Sequence, residues 1–319
     1  MDQINLKPCS VEGKVEVRLL QPGESAPEVT RMLALSQIQE AKAKIPYCVD
    51  HIYVACWEGY GCISEEQLSV MERIFKVKRE LKDVSSTLKW IEAASWNEED
   101  LQVVKDPFGD EHMLGYVLSM PLGVKFLQAE ATFGASLLAF REDVWLNLSC
   151  MVTGMLFLQR RYTNVGVVNP SFYHNETPVD QTTIASGFKA FEPSKRTIVG
   201  VVNVTGAHWT AYCINRDTKI CQTFDPQQGN TKKMTDAIRT IIEPLLHLDT
   251  TLSYVALNWC KQRDGSSCGV LCLAVLELVL SGKKWADEIY ALIPYLRLRY
   301  LNKSISLLVE GKEERGVCL

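Results

Sequence analysis

"QRDGSSCGVLCLAVLELVL", residues 262–280, sets a short polar turn directly against an apolar run, with Cys268 at the junction. From Val270 to Leu280 only Glu277 is polar. Apolarity sustained over about three turns reads as a buried helix rather than an amphipathic surface one. Gly282, in "SGKK", supplies a C-terminal stop. The N-terminus then lies in "DGSSC", where Asp264, Ser266 or Ser267 can cap. Cys268 falls in the first turn, where unpaired N–H groups and the helix dipole favour a thiolate. The same position also suits a plain buried thiol, the role expected of Cys272 one turn on.

A nucleophilic cysteine needs a base and a group that orients the base. Of the five histidines, His51, His112, His174, His208 and His247, only His208 lies in a strongly strand-like context. "TIVGVVNV" (197–204), "HWTAYCIN" (208–215) and "TKICQTFD" (218–225) read as three strands. A two-residue turn at Arg216-Asp217 would pair 215 with 218 and 208 with 225. His208 and Asp225 would then face each other with Cβ atoms ~5 Å apart. A carboxylate so placed fixes the imidazole tautomer and stabilises the imidazolium. A one-residue slip would put the two on opposite faces. Gln262, six residues before Cys268, can donate to an oxyanion together with the Cys268 N–H.

The order His, Asp, Gln, Cys resembles the Ulp1/SENP ubiquitin-like-protein proteases, the adenain-like cysteine peptidases. Four stretches carry the likeness: "HW" at 208–209, "TFD" at 223–225, "QRDGSSCG" at 262–269 and "WLNLSCMVTGMLFLQ" at 145–159. The resemblance covers roughly residues 120 to 290. It implies His208 as general base, Asp225 as its orienter, Gln262 as oxyanion donor and Cys268 as nucleophile, with a thioester as intermediate. It also implies that Trp145 and Trp209 form a narrow tunnel for a Gly-Gly tail, with core packing as the plainer role for Trp145. Two indole faces leave room only for residues without side chains. The chain departs from the family pattern at Leu148, where an aspartate that helps hold the modifier is usual, and at Ser267, where an acid is common. The first departure bears on the choice of modifier.

The rest of the chain sets bounds. It has 319 residues, 47% of them hydrophobic, a net charge of −4 and no long basic block. Nucleic acid and anionic membrane are therefore not the expected partners. The start lacks an apolar stretch long enough for a signal peptide, and no run approaches the ~20 apolar residues of a membrane span. Cys318, second from the end, is misplaced for a prenylation box. Eleven cysteines in such a chain imply reduced thiols, mostly in the core, in the nucleus or cytoplasm.

Two regions are expected: an accessory region at 1–119, mostly helical, and a peptidase domain at 120–319. The latter should be α+β, a mixed sheet packed against the Cys-bearing helix. "QPGESAPE" (21–28) reads as a turn, 51–62 as a strand running into a Gly-rich turn, and 109–124 as a linker. Ser64 opens a helix over about 64–92 whose apolar stripe is Val70, Ile74, Val77, Leu81, Val84, Leu88 and Ile91. That stripe packs within its own domain or recruits a protein partner. The segment 285–310 is helical in period, interrupted by Pro294. Cys48, His51, Cys56 and Cys62 lack the paired spacing of a zinc site, so no metal is expected, and no cofactor.

The expected function is cleavage after the Gly-Gly end of a ubiquitin-like modifier, SUMO-like by preference, as isopeptidase, precursor processor or both. Two rivals share the site: an acyltransferase, which would need an acyl-CoA donor, and a catalytically silent binding module. A peptidase carried by a mobile element is a third possibility.

Overall fold

The computed structural model describes residues 8–24, 31–46, 48, 51–94, 117–128, 130–229 and 231–310. Half of the expected linker, part of the "QPGESAPE" turn, His112 and Cys318 lie outside them. The chain forms two compact units, Met1–Lys82 and Asp83–Leu319.

In the first unit, β1 (Glu16–Leu19), β2 (Tyr53–Trp57) and β3 (Gly61–Ser64) form an antiparallel sheet in that order. Helix α1 (Leu35–Lys44) and the start of α2 (Glu65–Ala93) complete it, around Leu33, Ile38, Trp57, Ile63, Leu68 and Met71. Cys56 and Cys62 face each other across the β2–β3 hairpin, Cα atoms 4.0 Å apart, and are joined as a disulfide. This corrects the expectation of uniformly reduced thiols. Hairpin register rather than sequence spacing brings the pair together. Ser64 does cap α2. Its hydroxyl accepts from the Gln67 N–H at 3.2 Å while the Gln67 side chain accepts from the Ser64 N–H at 3.0 Å, a reciprocal capping box. The expected stripe divides. Val70, Val77 and Leu81 are exposed, whereas Leu68 and Met71 are buried in their place. Val84, Leu88 and Ile91 pack on the core of the second unit. The helix serves two cores, so no single face is buried along its length.

In the second unit the end of α2 is followed by a hairpin, β4 (Val124–Leu127) and β5 (Glu130–Phe133), and helix α3 (Leu148–Arg161). Its main sheet has the order β10-β9-β8-β7-β6, formed by Val165–Val167 (β6), Thr197–Asn203 (β7), Trp209–Asn215 (β8), Ile220–Phe224 (β9) and Ser253–Ala256 (β10). The pairs β6·β7 and β9·β10 are parallel and the two central pairs antiparallel, so the sheet is mixed. Along β8, Trp209, Ala211 and Cys213 enter one core while Tyr212 and Ile214 enter the other. Both faces are covered, which is why β7 and β8 read as nearly continuous apolar runs.

Helix α4 (Cys268–Leu280) lies in the first of these cores with α3, and every residue from Cys268 to Leu276 is buried. It stops where expected. Gly282, at φ 69°, donates to the Val279 carbonyl, and Lys283 donates to that of Leu278. Helix α5 (Ile293–Glu310) follows. Pro294 is its second residue and so begins this helix rather than interrupting it, because the first turn needs no N–H from that position.

Candidate active site

The β8–β9 connection decides whether His208 and Asp225 can meet. Asn215 pairs with Ile220 and Ala211 with Phe224, so the turn is the four residues Arg216–Lys219, not two. The Asn215 side chain accepts from the N–H groups of Asp217 and Thr218, and Lys219 takes a left-handed conformation at φ 57°. The expected register is thereby shifted by two positions. An even shift keeps every side chain on its face, so the inference survives the error. His208 and Asp225 flank the paired strands, and His208 Nε2 lies 2.7 Å from Asp225 Oδ1.

Asp225 is held in turn by its own loop. Oδ1 also accepts from the Gln227 N–H at 2.8 Å and Oδ2 from the Gly229 N–H at 3.0 Å. Burial alone would raise its pKa, but the hydrogen bonds from His208, Gln227 and Gly229 hold the carboxyl below its usual value. His208 is raised to about 9, first by the hydrogen bond to Asp225 and next by the Cys268 thiol, against a smaller opposing effect of burial. With Nε2 committed to Asp225, Nδ1 is the nitrogen left over. It is buried and makes no full hydrogen bond.

Cys268 is 4% exposed, at the start of α4. Of the three candidate caps, Asp264 organises the turn. Its Oδ1 accepts from the N–H groups of Ser266 and Ser267 at 2.9 and 2.8 Å, and its Oδ2 accepts from the Ser267 hydroxyl at 2.7 Å. Gln262 is tied to the same residue. Its Nε2 donates to the Asp264 carbonyl at 2.8 Å, its N–H donates to Pro226 O, and its buried Oε1 has no partner. Burial pushes the Cys150, Cys213 and Cys260 thiols up to about 12, and those of Cys221 and Cys272 well above the usual value. Those thiols stay protonated, as core residues should.

The Trp-Leu-Asn segment behaves as a helix start. Asn147 caps α3 by accepting from the Cys150 N–H at 3.2 Å. Trp209 is buried, and its indole N–H donates to the Leu146 carbonyl at 2.7 Å. Trp145 is 54% exposed and so is not a core residue. Gly269 lets this segment approach α4, since a Cβ there would meet Leu146 Cβ and Met151 Sδ at 3.0 Å.

Two supporting residues went unread in the sequence. The Tyr290 hydroxyl accepts from the Lys261 N–H at 2.8 Å and donates to the Lys261 carbonyl at 2.7 Å, clamping the loop before Gln262. Arg297, fully buried, sits under the Cys268 turn. An aromatic or basic residue in a helical pattern carries no signal of such a role.

A mixed five-stranded sheet packed by the helix that presents a thiol, with a His–Asp pair at the ends of two interior strands, is the architecture of a cysteine-type peptidase. More particularly, the resemblance to the Ulp1/SENP proteases is borne out. Residues 158–291 match the family model of the Ulp1 protease family, C-terminal catalytic domain, a span containing His208, Asp225, Gln262 and Cys268. Among solved structures, the SUMO protease Ulp1 with its catalytic cysteine oxidised to a sulfinic acid is similar, at 14% identity and TM-score 0.51, over 66% of this chain and 98% of that one. The C-terminal Ulp1 protease domain in complex with Smt3, the yeast ortholog of SUMO, is similar with the same identity, TM-score and coverage. At that identity these two show the fold. No curated protein matches the sequence. The family match favours the peptidase over the acyltransferase and the silent module.

Proposed function

We propose that the chain is a thiol peptidase that cleaves after the Gly-Gly tail of a ubiquitin-like modifier, SUMO-like by preference, with its catalytic domain at 120–319 and an accessory region before it. Cys268 is the nucleophile, His208 the base, Asp225 the group that orients it and Gln262 the oxyanion donor. The thiolate attacks the terminal glycine carbonyl, and the oxyanion is met by the Gln262 amide and the Cys268 N–H. Collapse expels the amine, which takes a proton from His208, and leaves a thioester. Water then gives its proton to His208 and attacks the thioester, releasing the modifier carboxylate and the thiol. Trp145 and Trp209 flatten the tail on its way in, with Trp209 fixed through Leu146.

The observation that carries this reading is the 2.7 Å His208–Asp225 contact, which leaves the second imidazole nitrogen for Cys268. The SUMO proteases it resembles in fold motivate the modifier class. The test is turnover of SUMO and ubiquitin bearing a C-terminal fluorogenic amide. Release by the parent and none by Cys268→Ala is expected, with SUMO preferred. A folded parent that turns over neither, or a Cys268→Ala variant as active as the parent, contradicts it.

A further inference from the structure

Arg297 is, with Arg299, the largest fully buried side chain of the described residues, and each is 1% exposed. No carboxylate among the described residues lies within ion-pair distance of it. A buried guanidinium is normally paired, because it stays charged and desolvation is expensive. Here it is met by backbone oxygens only. Nη1 donates to Val144 O at 2.9 Å and to Phe140 O at 3.4 Å, and Nη2 donates to Ser266 O at 3.4 Å. The first two carbonyls belong to the segment leading into Trp145 and Leu146. The third lies two residues before Cys268.

One cation on α5 thus joins the segment carrying one tryptophan to the turn carrying the thiol. We propose that Arg297 is a positioning residue of the Cys268 site, locking the Trp145 segment to the nucleophile turn, with its unpaired charge favouring the Cys268 thiolate. The inference rests on the reading of Cys268 as nucleophile. The ionisable groups around the pair are few. His208 and Asp225 face Cys268 from the strand ends, and Asp264 lies in the turn. Asp143 and Cys150 lie on the Arg297 side, and Cys272 is on the same helix as Cys268. Both Asp143 and Asp264 are exposed, so their charges are screened by water, whereas the guanidinium is not.

The test is the pH profile of Cys268 alkylation by iodoacetamide in the full chain, read by fragment mass spectrometry that separates Cys268 from Cys272. It needs no modifier, so it can fail or succeed independently of the cleavage reading. Arg297→Gln keeps a donor and loses the charge. Its profile should move up by about one pH unit, an alkylation rate up to about tenfold slower on the acid limb. Arg297→Lys keeps the charge and should stay near the parent profile. If Arg297→Gln does not fold, Arg297→Lys carries the test, because it keeps the charge. A folded Arg297→Gln with the parent profile, or a folded Arg297→Lys whose profile moves up by about one pH unit, overturns the inference.

Discussion

Helix α4 carries a buried polar cluster at each end, and the two are built differently. Near its C-terminus, Glu277 accepts from Arg299 at 2.8 and 2.7 Å and from the Tyr300 hydroxyl at 3.0 Å, so both carboxylate oxygens are filled. At its N-terminus, His208 Nδ1 is buried without a full hydrogen bond, and His208 interacts with Cys268. A satisfied cluster specifies how α4 and α5 pack. At the other end His208 keeps a ring nitrogen uncommitted, which the proposed proton transfer from Cys268 requires.

Substitutions at the two ends should therefore separate activity from stability. The largest effect belongs to the N-terminal end. Cys268→Ala should abolish turnover, and His208→Ala should lower it by about 10³-fold or more, both with little change in melting temperature. A large loss of folding in both would merge the two clusters and break the comparison. Next, Asp225→Asn should lower kcat about 10²- to 10⁴-fold and move the alkaline limb of the rate profile. In the parent that limb is expected near 9, where on the proposed mechanism His208 loses the proton it gives to the leaving amine. Without the carboxylate that raises it, the limb should fall toward the usual histidine range, as a kcat–pH series will show. A folded His208 pKa above the unfolded one also stabilises the native state. That contribution is complete below about 6.5 and fades as pH rises through about 9, which urea titrations at pH 6 and pH 10 would reveal.

At the other end, Glu277→Gln removes the carboxylate that pairs with the buried Arg299 guanidinium and should cost about 3–5 kcal/mol, measured by denaturant unfolding. Turnover per folded molecule should stay within a few fold. The smallest effect is expected of Cys272→Ala. It removes a buried thiol that donates to Trp209 O at 3.3 Å, so stability should fall by about 1 kcal/mol with the rate nearly unchanged.

Much of this was legible in the chain itself. The α4 run, its Gly282 stop and strands β7 to β9 follow from apolar patterning, and the His–Asp meeting follows from their spacing. That reading used the wrong turn length, because Asn215 folds its side chain back onto the turn and lengthens the loop. It held because strand faces repeat every second residue. Other features depend on what tertiary structure brings near. Cys56 meets Cys62 only once the hairpin register is set. In the α2 stripe, Val70 is exposed and Val84 packed, although a periodic pattern treats them alike. Arg297 sits in a helical segment where a basic residue ordinarily reads as surface, and only packing shows it buried.

The central claim is that Cys268, and not the buried thiol four residues on, does the chemistry. A SUMO probe with a C-terminal thiol-reactive group, followed by fragment mass spectrometry of the labelled chain, tests it most directly. The account predicts one adduct, on Cys268, lost in His208→Ala at neutral pH. An adduct on Cys272 or any other cysteine, or none on the folded parent, contradicts it.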